Sequence, residues 1–396
     1  MLNFEYHVPT RIIFGKDTHK DVGSIVKEYG FTRILLHYGK GSVKTSGLYD
    51  EVVSSLKENG IDFIELGGAE PNPKLSLVRE GVRLAKEHKS ELVLAVGGGS
   101  VIDSAKLIAH GALVDFDPWE FNARTKMPEG ALPVGTVLTL SASGSEMSAS
   151  CVITNDENGL KRGFGSKYNR PLFSICNPCL TYTVNPYQTA CGIVDILMHT
   201  LERYFTVSDT FDITDNMAFG VIKTVIKSGK EAMANPQSYE ARANLMWAGS
   251  LSHNDLTHCG TQFFLGCHQL EHELSGMFDS VAHGAGLAIV YPAWAKYIYK
   301  YNPERFALLA TEALGVSGEG KTVEETALCG IKMLEDYFSS VGMPTKLSDL
   351  EIDITDADIE EMAEKCTFFG TRVLTDYKAL GKDEIIEIFN LMKGEC

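Results

Sequence analysis

The chain has 396 residues, 44% of them hydrophobic and 22% charged, with 36 basic against 52 acidic side chains and a formal net charge of −16. Such a length and composition fit a globular protein with room for two domains, and an acidic balance without any basic block argues against nucleic acid as a partner. No run of eighteen apolar residues and no basic, apolar-cored leader are found, so no membrane partner is expected and the cytoplasm is the default setting.

In chain order, the first half alternates β-rich runs with amphipathic stretches. Strands are expected over 33–38, 61–66, 91–96 and 132–137, with helices over 48–59, 75–88 and 101–113. That order implies a parallel sheet with right-handed crossovers, in which ligands sit beyond the carboxyl ends of the strands. After Asn185-Pro186 strand-like runs nearly vanish. Helical periodicity marks 194–206, 213–234, 239–254, 260–274 and several later segments. An α/β domain over 1–184 and an all-helical domain over 185–396 are therefore expected.

Two constellations carry chemistry. Gly97-Gly98-Gly99-Ser100 follows directly on the apolar run 92–96 and opens a helical stretch. Bare backbone lets an anion approach closely, and the first N–H groups and positive end of a helix attract it. The turn alone is also compatible with a tight strand-to-helix connection without a ligand, because neither G-x-G-x-x-G nor a Walker A pattern is present. Further on, Asp195 and His199 stand four apart in a helical stretch and so share a face. His268 and His272 repeat the spacing, and His283 follows. Imidazoles with one carboxylate suit zinc or ferrous iron rather than magnesium or calcium.

His268-Gln269-Leu270-Glu271-His272 also matches H-x-x-E-H, the inverted zinc-peptidase pattern with Glu271 as base. That reading leaves the glycine turn and the Asp195/His199 pair without a role. The nine cysteines are odd in number and scattered, which reads as reduced thiols. Cys176-Asn177-Pro178-Cys179 lacks a second pair at zinc-ribbon spacing. A nucleotide cradle and a metal site on one chain point to redox chemistry.

At these residues the chain resembles the iron-containing (group III) alcohol dehydrogenase family, and within it the butanol dehydrogenase-like aldehyde reductases. The likeness covers nearly the whole chain. It runs through Tyr38-Gly39-Lys40-Gly41-Ser42-Val43-Lys44, Glu70-Pro71-Asn72-Pro73, the glycine turn with Asp103 and Lys106, and Thr139-Leu140-Ser141-Ala142-Ser143-Gly144-Ser145. It continues with Asp195 and His199, then His268 through Ser275 to His283-Gly284-Ala285-Gly286.

The resemblance implies a dehydroquinate synthase-like fold, with a Rossmann-like dinucleotide-binding domain before an all-helical one. It implies Fe2+ or Zn2+ held by Asp195, His199, His268 and His283, with His272 lining the pocket as the catalytic candidate. NADP(H) or NAD(H) would rest on Gly97, Gly98, Gly99 and Ser100, supported by Asp103. Thr136, Thr139, Leu140 and Ser145 would flank the nicotinamide, Lys161 would lie near its ribose, and Asn72 would belong to the same site. Between His272 and His283 the chain carries one residue more than the family pattern, around 277–281, which a local loop is expected to absorb.

The activity implied is hydride transfer between NAD(P)(H) and a primary aliphatic alcohol or aldehyde, in a homodimer. A zinc-dependent polyol dehydrogenase or a related synthase is the nearer alternative, and a non-redox metallohydrolase the more distant one. No carboxylate directly follows the strand ending at Tyr38, whereas Gly39, Gly41, Ser42 and the charges of Lys40 and Lys44 would suit a 2′-phosphate. NADPH is thus expected to serve at least as well as NADH, unless both lysines are merely solvated.

Overall fold

The structure is a computed structural model that describes residues 1–208 and 211–394. Two compact units are present: His7–Val184 with Pro236–Ser250, and Met1–Tyr6 with Asn185–Asn235 and Leu251–Cys396. The chain exchanges a short segment each way, an interleaving that a single cut near 184 does not describe.

The first unit begins with β1 (Arg11–Phe14), α1 (Val22–Glu28), β2 (Arg33–Gly39), α2 (Ser42–Thr45), α3 (Leu48–Glu58), β3 (Asp62–Ala69) and α4 (Leu75–His88). It continues with β4 (Leu92–Gly97), α5 (Gly99–Gly111), α6 (Trp119–Asn122), β5 (Val134–Leu138), β6 (Ser150–Asn155), β7 (Leu160–Gly165) and β8 (Phe173–Cys176). Six strands pair in parallel in the order β1-β8-β5-β4-β2-β3, and β6 and β7 form a separate antiparallel hairpin. Every residue of β4 is buried, as expected of a parallel strand covered on both faces. Leu92, Leu94 and Val96 pack into the core that holds α1 and α3, while Val93 and Ala95 enter the core under α4 and α5. Each such Leu or Val contributes roughly 1.5–3 kcal/mol by leaving water.

The strand order fixes where a ligand can sit. From β2 the chain moves outward to β3, then crosses back to β4 on the opposite side of β2. The crevice between the carboxyl ends of β2 and β4 is therefore the topological switch point, the general ligand position in open α/β sheets. Both glycine-rich turns, after Tyr38 and after Val96, open onto it.

The second unit is helical: α7 (Pro186–Tyr204), α8 (Asp212–Ala234), α10 (Gly266–Met277), α11 (His283–Ile298), α12 (Pro303–Glu312), α13 (Val323–Ser340), α14 (Asp356–Cys366) and α15 (Lys382–Leu391). The helix between α8 and α10, α9 (Tyr239–Ser252), lies almost wholly in the first unit. α7 starts eight residues earlier than the expected 194, because Asn185 caps it by accepting from the Gln188 N–H at 2.8 Å and Pro186 occupies its first turn. From Thr189 on it buries apolar and polar residues alike, which hides the periodicity. α11 is buried on nearly all sides and so lacks an amphipathic stripe. Among the described residues no helix is long and apolar enough to cross a membrane.

Candidate metal centre and cofactor cradle

α7 carries Asp195, His199 and Glu202 on one buried face at i, i+4 and i+7. α10 presents His268 and Glu271, and His283 is the first residue of α11. The ligand atoms of Asp195, His199 and His268 all lie within 4.8 Å of one another. Oδ1 of Asp195 stands 3.0 Å from His199 Nδ1, 3.6 Å from His268 Nε2 and 3.8 Å from His283 Nε2. All four proposed ligands are thus brought together.

Each imidazole has one nitrogen already engaged by the protein. His199 Nδ1 lies 3.0 Å from the Asp195 carbonyl oxygen, His268 Nδ1 bonds Glu202, and His283 Nδ1 bonds Glu271. Such acceptors fix ring orientation and tautomer at metal sites. For His268 and His283 the opposite nitrogen, Nε2, faces Asp195 Oδ1, whereas His199 approaches that oxygen with Nδ1 itself. Asp195 Oδ1 and His268 Nε2 are buried there without a hydrogen-bond partner among the described residues. Two orphaned buried polar atoms facing each other are unfavourable without a third party. The donor set therefore fits one divalent zinc or ferrous ion.

Electrostatics agree with that fit. Burial opposes ionisation of Asp195, but His199, His268 and His283 around it hold its carboxyl well below the usual range. Burial, reinforced by His268, pushes His199 down to about 3 and keeps it a neutral ligand. His268 is driven down by burial but raised more by Glu202 and Asp195, to about 9. A cation binding there would displace that proton.

Two glycines let these elements meet. A β-carbon on Gly284 would collide with the Cys191 backbone of α7, and one on Gly286 would lie 2.8 Å from Glu271 Cγ. Before His283 the chain turns, the Val281 N–H bonding the Phe278 carbonyl at 2.9 Å. His272 sits half-buried beside this cluster, its ring centroid 5.7 Å from that of His283. Glu271 is fully buried against His283. It orients a ligand, which is a different task from the water-activating base of the peptidase pattern.

Glu202 and His253 were not singled out in the sequence, and Glu271 was read only as the base of the peptidase pattern. Glu202 could have been found three residues beyond His199 on the ligand face. His253 stacks on His199 with ring centroids 4.1 Å apart, and no spacing rule pointed to it.

In the α/β unit, the Thr139 N–H bonds the Gly97 carbonyl at 3.1 Å, tying the segment after β5 to the glycine turn. β-Carbons on Gly98 and Gly99 would lie 3.2 Å from Leu140 Cβ and 2.3 Å from Ser143 Oγ. The glycines thus first admit the 140–143 segment, and the start of α5 remains open beside it. Asp103 accepts from Ser145 Oγ at 2.5 Å and from the Val152 N–H at 2.8 Å. Lys106, wholly buried, donates to Ser145 Oγ and to the Ser150 carbonyl, each at 2.8 Å, and lies 3.7 Å from Asp103. Burial pushes Asp103 up and Lys106 down, and their mutual attraction opposes both shifts. Together they clamp the segment that carries Ser145.

Lys161 of β7 donates to Asn72 Oδ1 at 3.0 Å, both being buried. Asn72 holds a left-handed φ of 54°, which asparagine tolerates. Thr136 is wholly buried in β5 and its hydroxyl has no partner among the described residues. Lys40 and Lys44 are both engaged. Lys40 Nζ pairs with Glu70 Oε2 at 2.9 Å, and Lys44 Nζ lies 4.9 Å and 4.7 Å from the ring centroids of Tyr38 and Tyr49.

A dinucleotide-type α/β unit and a helical unit with a three-histidine, one-carboxylate centre define a metal- and nucleotide-dependent oxidoreductase. Residues 9–178 match the iron-containing alcohol dehydrogenase family, and residues 189–392 match the C-terminal part of the Fe-containing alcohol dehydrogenase family. The chain belongs to this family. It is 40% identical to NADH-dependent butanol dehydrogenase A of Clostridium acetobutylicum over 391 residues, covering 98% of this chain and 99% of that one. It is 39% identical to the NADPH-dependent aldehyde reductase YqhD of Escherichia coli over 358 residues, covering 89% and 90%. The crystal structure of NADH-dependent butanol dehydrogenase A from Thermotoga maritima superposes with a TM-score of 0.94 at 40% identity, covering 99% of both chains.

Proposed function

We propose that this NAD(P)H-dependent alcohol dehydrogenase works mainly as a reductase of primary aliphatic aldehydes of the butanal class, loaded with ferrous iron or zinc. The observation that carries the reading is the convergence of three braced imidazoles on the orphaned Asp195 Oδ1. The names of the butanol dehydrogenase and aldehyde reductase relatives support the substrate class. When bound, the cation supplies Lewis acidity to a carbonyl oxygen and the dinucleotide supplies hydride.

The chain's own residues do the rest. One carboxylate among three neutral imidazoles cancels only half of a divalent charge, so Asp195, His199, His268 and His283 leave the centre attractive to a developing oxyanion. Glu202 and Glu271 hold His268 and His283 in place. His272, half-buried and reachable, can hold or pass a proton at its imidazole, a group that ordinarily titrates near neutrality. Gly97 to Ser100 carry the pyrophosphate at the open start of α5, and the Asp103–Lys106 clamp keeps Ser145 and its loop in position.

The test is loss of reduced nicotinamide absorbance on mixing metal-loaded protein with butanal, and its abolition by a chelator. Preference for glycerol oxidation would favour the polyol dehydrogenase reading. Substrate hydrolysis with the nicotinamide unchanged would favour a hydrolase. A cytoplasmic homodimer belongs to the same proposal, and light scattering of the purified protein tests its mass.

A further inference from the structure

We propose that Glu70 is the residue that sets cofactor choice, by standing against a 2′-phosphate and competing with it for Lys40. The inference rests on the proposed seat of the dinucleotide at the β2/β4 switch point. β2 and β3 end in register at Gly39 and Ala69, after an irregularity between His37 and Gly39. The next residue on each strand is Lys40 and Glu70, and their side chains close on each other at 2.9 Å.

In a dinucleotide unit an acidic residue at the strand end accepts from the 2′-hydroxyl of NAD and repels the 2′-phosphate of NADP. No carboxylate follows β2 itself in the sequence. The register of the sheet delivers one from the neighbouring strand. The side chains of Lys40 and Glu70 are 67% and 42% exposed, so the pair is weak and does not lock the lysine. What persists is a carboxylate beside the position of a dianionic group, paired with the cation that would otherwise receive it. Lys44 is drawn toward Tyr38 and Tyr49, whose hydroxyls both donate to Glu65 at 2.8 Å. The two lysines that would favour NADPH thus each have a competing partner, Glu70 for Lys40 and the Tyr38 and Tyr49 rings for Lys44. NADH is the preferred cofactor of the unmodified chain, and Glu70 is the reason.

Calorimetric titration of metal-loaded enzyme with NADH and with NADPH tests this, using the unmodified protein, Glu70→Gln and Gly98→Val. Glu70→Gln should raise affinity for NADPH about tenfold, the scale of one charge-assisted hydrogen bond, and should not improve affinity for NADH. Adding Lys40→Ala to Glu70→Gln should remove most of that gain. Equal movement of both dinucleotides, or movement of neither, would overturn the proposal. In those cases Gly98→Val separates the causes. If it abolishes binding of both dinucleotides in folded protein, the cradle stands and Glu70 alone is misassigned. If it leaves both unchanged, the seat of the dinucleotide is wrong as well.

Discussion

A β-carbon on Gly284 would fall 2.2 Å from the carbonyl oxygen of Cys191, so α11 starts against bare backbone of α7 one turn ahead of Asp195. This contact brings His283, the preceding residue, over the carboxylate. Gly284→Ala should push the first turn of α11 away and carry His283 with it. Overpacking of this kind costs about 1–3 kcal/mol, and metal content should fall below one per chain. A thermal melt and elemental analysis of the same sample check both. Full metal loading with an unchanged melting temperature would mean that α7 yields instead.

The carboxylates behind the ligands give a graded series. Asp195→Ala or His268→Ala removes a ligand and should abolish stoichiometric metal and activity together. Glu202→Gln and Glu271→Gln keep all four ligands but weaken their bracing, so metal affinity should drop about 10–100-fold. Competition against a chromophoric chelator measures it. Unchanged affinity in both variants would show that packing alone orients His268 and His283.

The pairing of Asp195 with His199 on one helix face was legible because i, i+4 spacing survives translation into a helix, and the glycine turn because strand, glycines and helix are contiguous. Glu202 was hidden, and the bracing role of Glu271 with it, because buried carboxylates look like surface ones in a sequence. β1 and β8 are four residues each, too short for period-two alternation, and β6 and β7 are joined by a tight turn with glycines at 163 and 165 within β7. Glu70 escaped notice for another reason. Its significance comes from strand register, and register is a property of two segments 30 residues apart.

His272 separates metal binding from turnover. It lies beside the centre and outside the set of atoms converging on Asp195, so His272→Ala should retain one metal per chain and bind the dinucleotide. Turnover should fall about 10²–10⁴-fold if its imidazole moves a proton, with kcat affected more than KM. Loss of metal in this variant would reassign it as a ligand and revive the pairing of His268 with His272.

His37 makes the α/β unit acid-sensitive. It is wholly buried in β2, with Nδ1 2.8 Å from the Leu66 carbonyl oxygen and Nε2 without a partner among the described residues. Burial lowers its pKa from 6.5 to about 4, because an imidazolium there would carry an N–H with nothing to receive it. Below pH 6.5 the unfolded chain takes up a proton that the folded chain refuses until about pH 4, so the unfolded state binds more protons across that window. Stability is therefore fully present above pH 6.5 and lost as pH falls toward 4, by about 3 kcal/mol in total. His37→Asn keeps a donor near the Nδ1 position and cannot be protonated. It should cost about 1–2 kcal/mol at neutral pH through lost ring packing, yet its urea midpoint should fall less steeply on acidification than that of the unmodified chain. Parallel midpoint curves for the two proteins between neutral pH and pH 4 would assign the acid sensitivity to another group.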